Sequence, residues 1–163
     1  MSSSRVSHEA IIVNRLRAQL TQFENVLTVQ GQNQQNRFDI PGWELQRHQQ
    51  FQFGDLRIET PSRTVVVELE SAGGLTNLVK YWPLLELQPP TKRLVLLHVF
   101  HLVSEEDYIA HRRLWSYTVE RMREYLESRG VHWPDGWEAA LLTYRTESDL
   151  HAVERAVRGT LGV

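Results

Sequence analysis

Residues 53–71, FGDLRIETPSRTVVVELES, decide how this chain folds. Pro61-Ser62 marks a tight turn, and the flanking residues favour strands, so the stretch reads as a β-hairpin. Its second arm carries the core-forming run Val65-Val66-Val67 and then ends Glu68-Leu69-Glu70, while Asp55 opens the first arm. A turn centred on Pro61-Ser62 pairs Thr60 with Arg63 and Glu59 with Thr64. Continued along the arms, that register sets Asp55 directly across from Glu68, whereas an odd-length loop or a bulge makes the pair diagonal. Opposed Cβ atoms lie about 4.5–5.5 Å apart on one face of a sheet, and Glu70 points to the same face as Glu68. Like charges so placed destabilise a sheet, and partial burial makes them tend to hold a proton. A hard divalent cation, Mg2+ or Mn2+, removes the conflict, because it takes carboxylate and carbonyl oxygens together with water. The expected ligands are Asp55, Glu68 and the Leu69 carbonyl. The alternative is a solvated polar face on an edge hairpin.

Outward from the hairpin, residues 7–27 read as a helix, with Ser7 as cap and Ile12, Leu16, Leu20, Phe23 and Leu27 as its stripe. GQNQQNRFDIPG (31–42) reads as a loop. Trp43, Leu45, Phe51 and Phe53 alternate with polar residues, which predicts a half-exposed strand over 43–53. SAGGLTNLVKYWPLLELQ (71–88) turns helical, with Pro83 kinking it or ending its first part. KRLVLLHVF (92–100) is a strand buried on both faces. Ser104 and Asp107 open a long helix whose stripe is Trp115, Val119, Met122 and Leu126, and Gly130 stands at its C-cap. WPDGW (133–137) is a turn, WEAALLTY (137–144) a strand, and Thr146 with Asp149 starts a last helix carrying Leu150, Val153 and Val157. The order α-β-β-β-α-β-α-β-α, with a crossover unit over 64–100, predicts one α/β domain with a mixed central sheet flanked by helices.

The 163 residues suffice for a core without cross-links, and the absence of cysteine excludes disulfides and thiolate zinc sites. A formal net charge of −2 gives no global electrostatic case for nucleic-acid binding, so any such surface is local. Of 18 basic residues only Lys80 and Lys92 are lysines. No segment reads as a signal peptide or membrane span, and a cytoplasmic protein is expected. His98 and His101 face opposite sides of their strand and make no zinc pair. The tryptophans are spaced mostly as core anchors, with no interleaved aromatic-basic stripe.

An Asp at a strand start, a turn, a strand ending acid-x-Lys and then a helix resembles the PD-(D/E)xK nuclease superfamily. Here the pieces are Gly54-Asp55, Glu68-Leu69-Glu70 and a helix from about Leu75. The helix also carries Asn77-Leu78-Val79-Lys80-Tyr81, similar to the Gln-x3-Tyr element of the RecB-like branch. The departures are Glu70 in the lysine position, as in Glu-x-Glu restriction endonucleases, Asn77 for Gln, and no Pro before Asp55. The resemblance covers roughly residues 7–100. It implies a restriction-endonuclease-like α-β-β-β-α-β core with a C-terminal α-β-α addition, and Mg2+- or Mn2+-dependent hydrolysis of DNA or RNA. By carry-over, Asp55 and Glu68 bind the metal and Glu70 stands near the attacking water. Lys80 is the candidate for the missing cation; it lies three residues from Asn77, on the same side of a helix. Asn77 and Tyr81 are expected as support on the substrate side. Nucleic acid is the implied partner, with a homodimer or a larger restriction, repair or defence complex as the setting. The competing function is a nuclease-fold module that has lost catalysis and binds nucleic acid or a protein.

Overall fold

A computed structural model describes residues 8–31, 36–70, 76–102, 104–131 and 136–162. Its elements are α1 (His8–Leu20), β1 (Thr28–Gly31), β2 (Leu56–Glu59), β3 (Arg63–Glu70), α2 (Thr76–Val79), α3 (Tyr81–Leu87), β4 (Arg93–His101), α4 (Glu105–Ser128), β5 (Trp137–Tyr144) and α5 (Leu150–Leu161), the last preceded by a 3-10 turn at Glu147–Asp149. The strands form one mixed sheet in the order β1-β2-β3-β4-β5. The first three are antiparallel, and β4 runs parallel to both neighbours. Among the described residues no helix is long and apolar enough to cross a membrane.

Strand alternation splits the core into two layers. Val65, Val67 and Leu69 of β3 and Val95, Leu97 and Val99 of β4 face α1 and α5, joining Leu16, Leu20, Val153 and Val157. Val66 of β3 and Leu94, Leu96 and Phe100 of β4 face α3 and α4, with Tyr81, Leu85, Trp115 and Met122. Both faces of β3 and β4 are thus covered, as the continuous apolar runs required.

The hairpin register is as expected up to its last ladder pair: Glu59 pairs with Thr64 and Leu56 with Val67. Thr60 closes the turn by donating its N–H to the Arg63 carbonyl at 2.9 Å. The long helix also ends as read. Val131 N–H reaches the Leu126 carbonyl and Gly130 N–H the Glu127 carbonyl, with Gly130 at φ +82°, the pattern of a Schellman cap. Asp149 accepts from the N–H groups of Arg145 and Thr146, tying the chain down ahead of α5.

Three expectations are corrected. Residues 43–53 form no strand: only Gln52 makes an isolated bridge, to Arg37, and the edge strand is instead Thr28–Gly31. Consequently α1 stops at Leu20, and Leu27 is exposed. The helix after the hairpin breaks at Lys80, upstream of Pro83. Proline has no N–H for the carbonyl four residues back, that of Val79, and its ring crowds that carbonyl. Pro83 therefore stands in the first turn of α3, where it costs nothing. The Ser7 cap, residues 71–75 of the predicted helix and most of the WPDGW turn lie outside the described residues, as does the side chain of Asp107.

At the hairpin's turn end Glu59 takes hydrogen bonds from Lys92, Thr64 and Arg57 at 3.0, 2.8 and 2.7 Å. Burial acts to raise its pKa, but these donors together outweigh burial and hold it below the ordinary 4.5. Its contribution to stability is therefore complete above pH 4.5 and is lost as pH falls through the depressed folded value. Glu59→Gln is expected to flatten the acid limb of the stability–pH curve. Urea unfolding of both proteins across that limb measures this; superimposable slopes would remove the account.

Candidate active site

The acidic end of the hairpin is built by its register. The regular ladder ends at Leu56–Val67. Asp55 N–H donates to that same Val67 carbonyl at 2.8 Å, a one-residue offset of the bulge type that leaves Asp55 diagonal to Glu68, not directly across from it. Glu68 follows Val66 on the α3/α4 face and is buried, with 3% of its surface exposed. An ionised carboxylate in that position requires donors. Three converge on its Oε1: the Gly54 N–H at 2.7 Å, the Tyr81 hydroxyl at 2.7 Å and the Lys80 ammonium at 2.7 Å. Lys80 is itself 9% exposed. Burial is the main reason the Glu68 carboxyl is held above its ordinary value; Lys80 and Tyr81 oppose that rise and the Asp55 charge adds to it. Tyr81, fully buried against Phe53, is pushed well above 10 by burial and by Glu68.

The helix break positions the cation. With α2 ended at Val79, Lys80 and Tyr81 stand at the entry of α3 and both reach Glu68. Lys80 also donates to Asn77 Oδ1 at 3.1 Å, and Asn77 Nδ2 donates to Glu70 Oε2 at 2.9 Å. Asp55 Oδ2 accepts from the Leu69 N–H at 2.8 Å, which brings the Leu69 backbone beside that carboxylate. The residues singled out from the sequence, Asp55, Glu68, Leu69, Glu70, Asn77, Lys80 and Tyr81, therefore share one neighbourhood at the C-terminal end of β3. A solvated hairpin face does not describe Glu68, nor an exposed helix lysine Lys80. Tyr81 is fully buried, in the core and not on a substrate side, and its hydroxyl holds Glu68.

Sequence reasoning missed the floor of the site. His98 pairs in register with Glu68 across β3 and β4, on the same face, and is fully buried. Trp115 Nε1, which can only donate, bonds His98 Nδ1 at 3.2 Å. His98 is thus neutral with its proton on Nε2. Burial, assisted by the Lys80 charge, pushes its pKa down to about 3. Nε2 is buried without a hydrogen-bond partner among the described residues. The available signal was a histidine inside an apolar strand; its neighbour depended on a parallel register the sequence does not display. Asn36 was also missed. It is buried and donates to the Gly54 carbonyl at 3.2 Å, fixing the backbone next to Asp55.

A hard cation can be tested against this donor set. Among the described residues no group of three or more Asp, Glu, His or Cys side chains is placed to hold a metal ion. Glu68 Oε1 is already taken by three donors, and the Leu69 group that meets Asp55 is its N–H. No family model matches this chain, and no curated protein or solved structure matches it significantly.

Proposed function

We propose that this protein is a metal-dependent nuclease with a restriction-endonuclease-like core, hydrolysing phosphodiester bonds of DNA or RNA. The observation that carries the reading is the 2.7 Å contact between Lys80 and Glu68. The cation absent from position 70 arrives from the helix, next to the acids. Asp55, Glu68 and the Leu69 carbonyl would hold Mg2+ or Mn2+. Such an ion, when bound, lowers the pKa of water and stabilises charge developing on phosphate. The chain's own residues supply the positioning. Gly54 N–H and the Tyr81 hydroxyl fix Glu68, Asn77 orients Glu70, and Lys80 offers ammonium donors to a phosphate oxygen.

A second reading, a nuclease-fold module that binds without cutting, is favoured by one observation. No cage of three side-chain ligands is formed among the described residues.

Melting with EDTA, Mg2+ or Mn2+, beside cleavage of labelled DNA and RNA, separates the two. Asp55→Asn is the useful variant, because its amide oxygen still accepts from Leu69 N–H. Under the nuclease reading, metal at 100 times its Kd stabilises the wild type by about 2.7 kcal/mol. Asp55→Asn loses that response and the cleavage with it. Neither a melting response nor cleavage of any substrate would leave the binding module as the reading.

A further inference from the structure

Beside the acidic site lies an apolar groove of about 470 Å3 whose walls include Trp43, Phe51, Val79, Lys80, Trp82 and Tyr125. The sequence showed no aromatic stripe because these rings come from three distant segments. Trp115 and Trp137 are core anchors as expected, but Trp43 is 42% exposed and Trp82 half-buried. Phe51, Val79 and Tyr125 are exposed as well. So much exposed aromatic surface in one place points to a binding surface.

The rings form two pairs. Trp43 and Phe51 meet at 6.1 Å with their planes tilted by 59°, and Trp82 and Tyr125 at 5.4 Å and 65°. Rings that meet edge-on leave faces uncovered, and an uncovered face is what a planar ligand stacks on. The groove's size is that of a small-ligand site, typically about 300–1,000 Å3. A specific protein interface covers roughly 800 Å2 on each partner, which a groove of this size does not provide by itself. Lys80 is common to both places, since its side chain lines the groove while its ammonium contacts Glu68. A ligand with a flat ring in the groove therefore lies against the Lys80 side chain, next to the acidic site. The groove carries one carboxylate, Glu86, which accepts from the Tyr125 hydroxyl at 2.8 Å and lies 3.7 Å from Arg129.

We propose that the groove is a stacking subsite for unpaired nucleobases, so that the chain engages single-stranded nucleic acid or a frayed end in preference to an intact duplex. This rests on the nucleic-acid reading above and adds the strand state of the substrate. Bases inside a duplex present no free face to the groove; unpaired ones do, and stacking on aromatic side chains is indifferent to sequence.

The test uses the full chain with Ca2+ present and three probes: a twelve-residue dT oligonucleotide, an abasic oligonucleotide of the same length, and a blunt duplex. Fluorescence anisotropy reports binding, and intrinsic tryptophan fluorescence reports stacking. The dT strand is expected to bind at least tenfold more tightly than the abasic strand or the duplex, and to quench tryptophan emission saturably. Trp43→Ala and Trp82→Ala should each weaken dT binding by about 5- to 100-fold while leaving abasic affinity unchanged. The comparison of dT with abasic strand on wild type needs no variant to fold. Equal affinity for dT and abasic strands would overturn the subsite and leave the nucleic-acid reading standing. Binding of none of the three would overturn both. A solution dimer that Trp43→Ala dissociates would overturn the subsite by making a second copy the groove's occupant.

Discussion

Glu68→Ala is expected to destabilise the protein by about 3–5 kcal/mol, the range for removing one partner of a buried ion pair. The loss does not measure what the pair contributes. It measures what remains: a Lys80 side chain only 8% exposed that has lost its Glu68 partner. Gly54 N–H and the Tyr81 hydroxyl lose the same acceptor, each an unmet buried donor worth about 1–3 kcal/mol in isolation. These costs overlap, because a water entering the space serves more than one donor. Adding Lys80→Met to Glu68→Ala removes the stranded charge and should recover a large part of the stability. Urea unfolding of wild type, both single variants and the double variant closes a thermodynamic cycle. A Glu68→Ala loss under 1 kcal/mol, or a double variant no more stable than Glu68→Ala, would mean that Lys80 reaches water in solution.

How much of this site could be read beforehand depended on the range of the forces that build it. The register from Glu59–Thr64 to Leu56–Val67 needed only a turn at Pro61-Ser62 and a period of two, both local, whereas the offset that leaves Asp55 diagonal to Glu68 has no local signal. Lys80 and Asn77 were linked by a spacing of three. The last three elements were legible for the same reason, since Trp115 to Leu126, Gly130 and Asp149 carry their own periodicity and caps. The edge strand was not. Thr28–Gly31 has only Val29 as an apolar residue, and its partner strand begins at Leu56. The alternation of Trp43 and Phe51 imitated a strand because both rings avoid water partially, yet they line a groove and not a sheet face. The Lys80 break is a subtler case. Pro83 was visible as a breaker, but its effect falls on the carbonyl four residues earlier. His98 lay beyond reach, because its place beside Glu68 is decided by two parallel strands and the crossover between them.

Gly54→Ala should be almost as damaging, at about 2–5 kcal/mol, although it adds a single methyl group. Gly54 has φ +81°, a left-handed backbone that costs an L-residue about 1–2 kcal/mol. A Cβ there would come within 2.2 Å of Val66 Cγ1 and 2.9 Å of the Leu56 carbonyl oxygen. Val66 is fully buried, and Leu56 pairs with Val67 in the hairpin ladder, so neither neighbour can retreat without moving the hairpin. Overpacking of this kind adds about 1–3 kcal/mol. The chemical consequence is separate. Gly54 donates its N–H to Glu68 and precedes Asp55, so a backbone shift withdraws a donor from one acid and re-aims the other. Asn36 holds the Gly54 carbonyl from the opposite side and transmits the shift into residues 36–40. Two readouts distinguish these effects. Urea unfolding gives the stability loss, and a metal titration at a temperature where the variant remains folded tests whether the acids still act together. If Gly54→Ala folds with wild-type stability, the positive φ is not maintained in solution, and the placement of Asp55 beside Glu68 that depends on it falls as well.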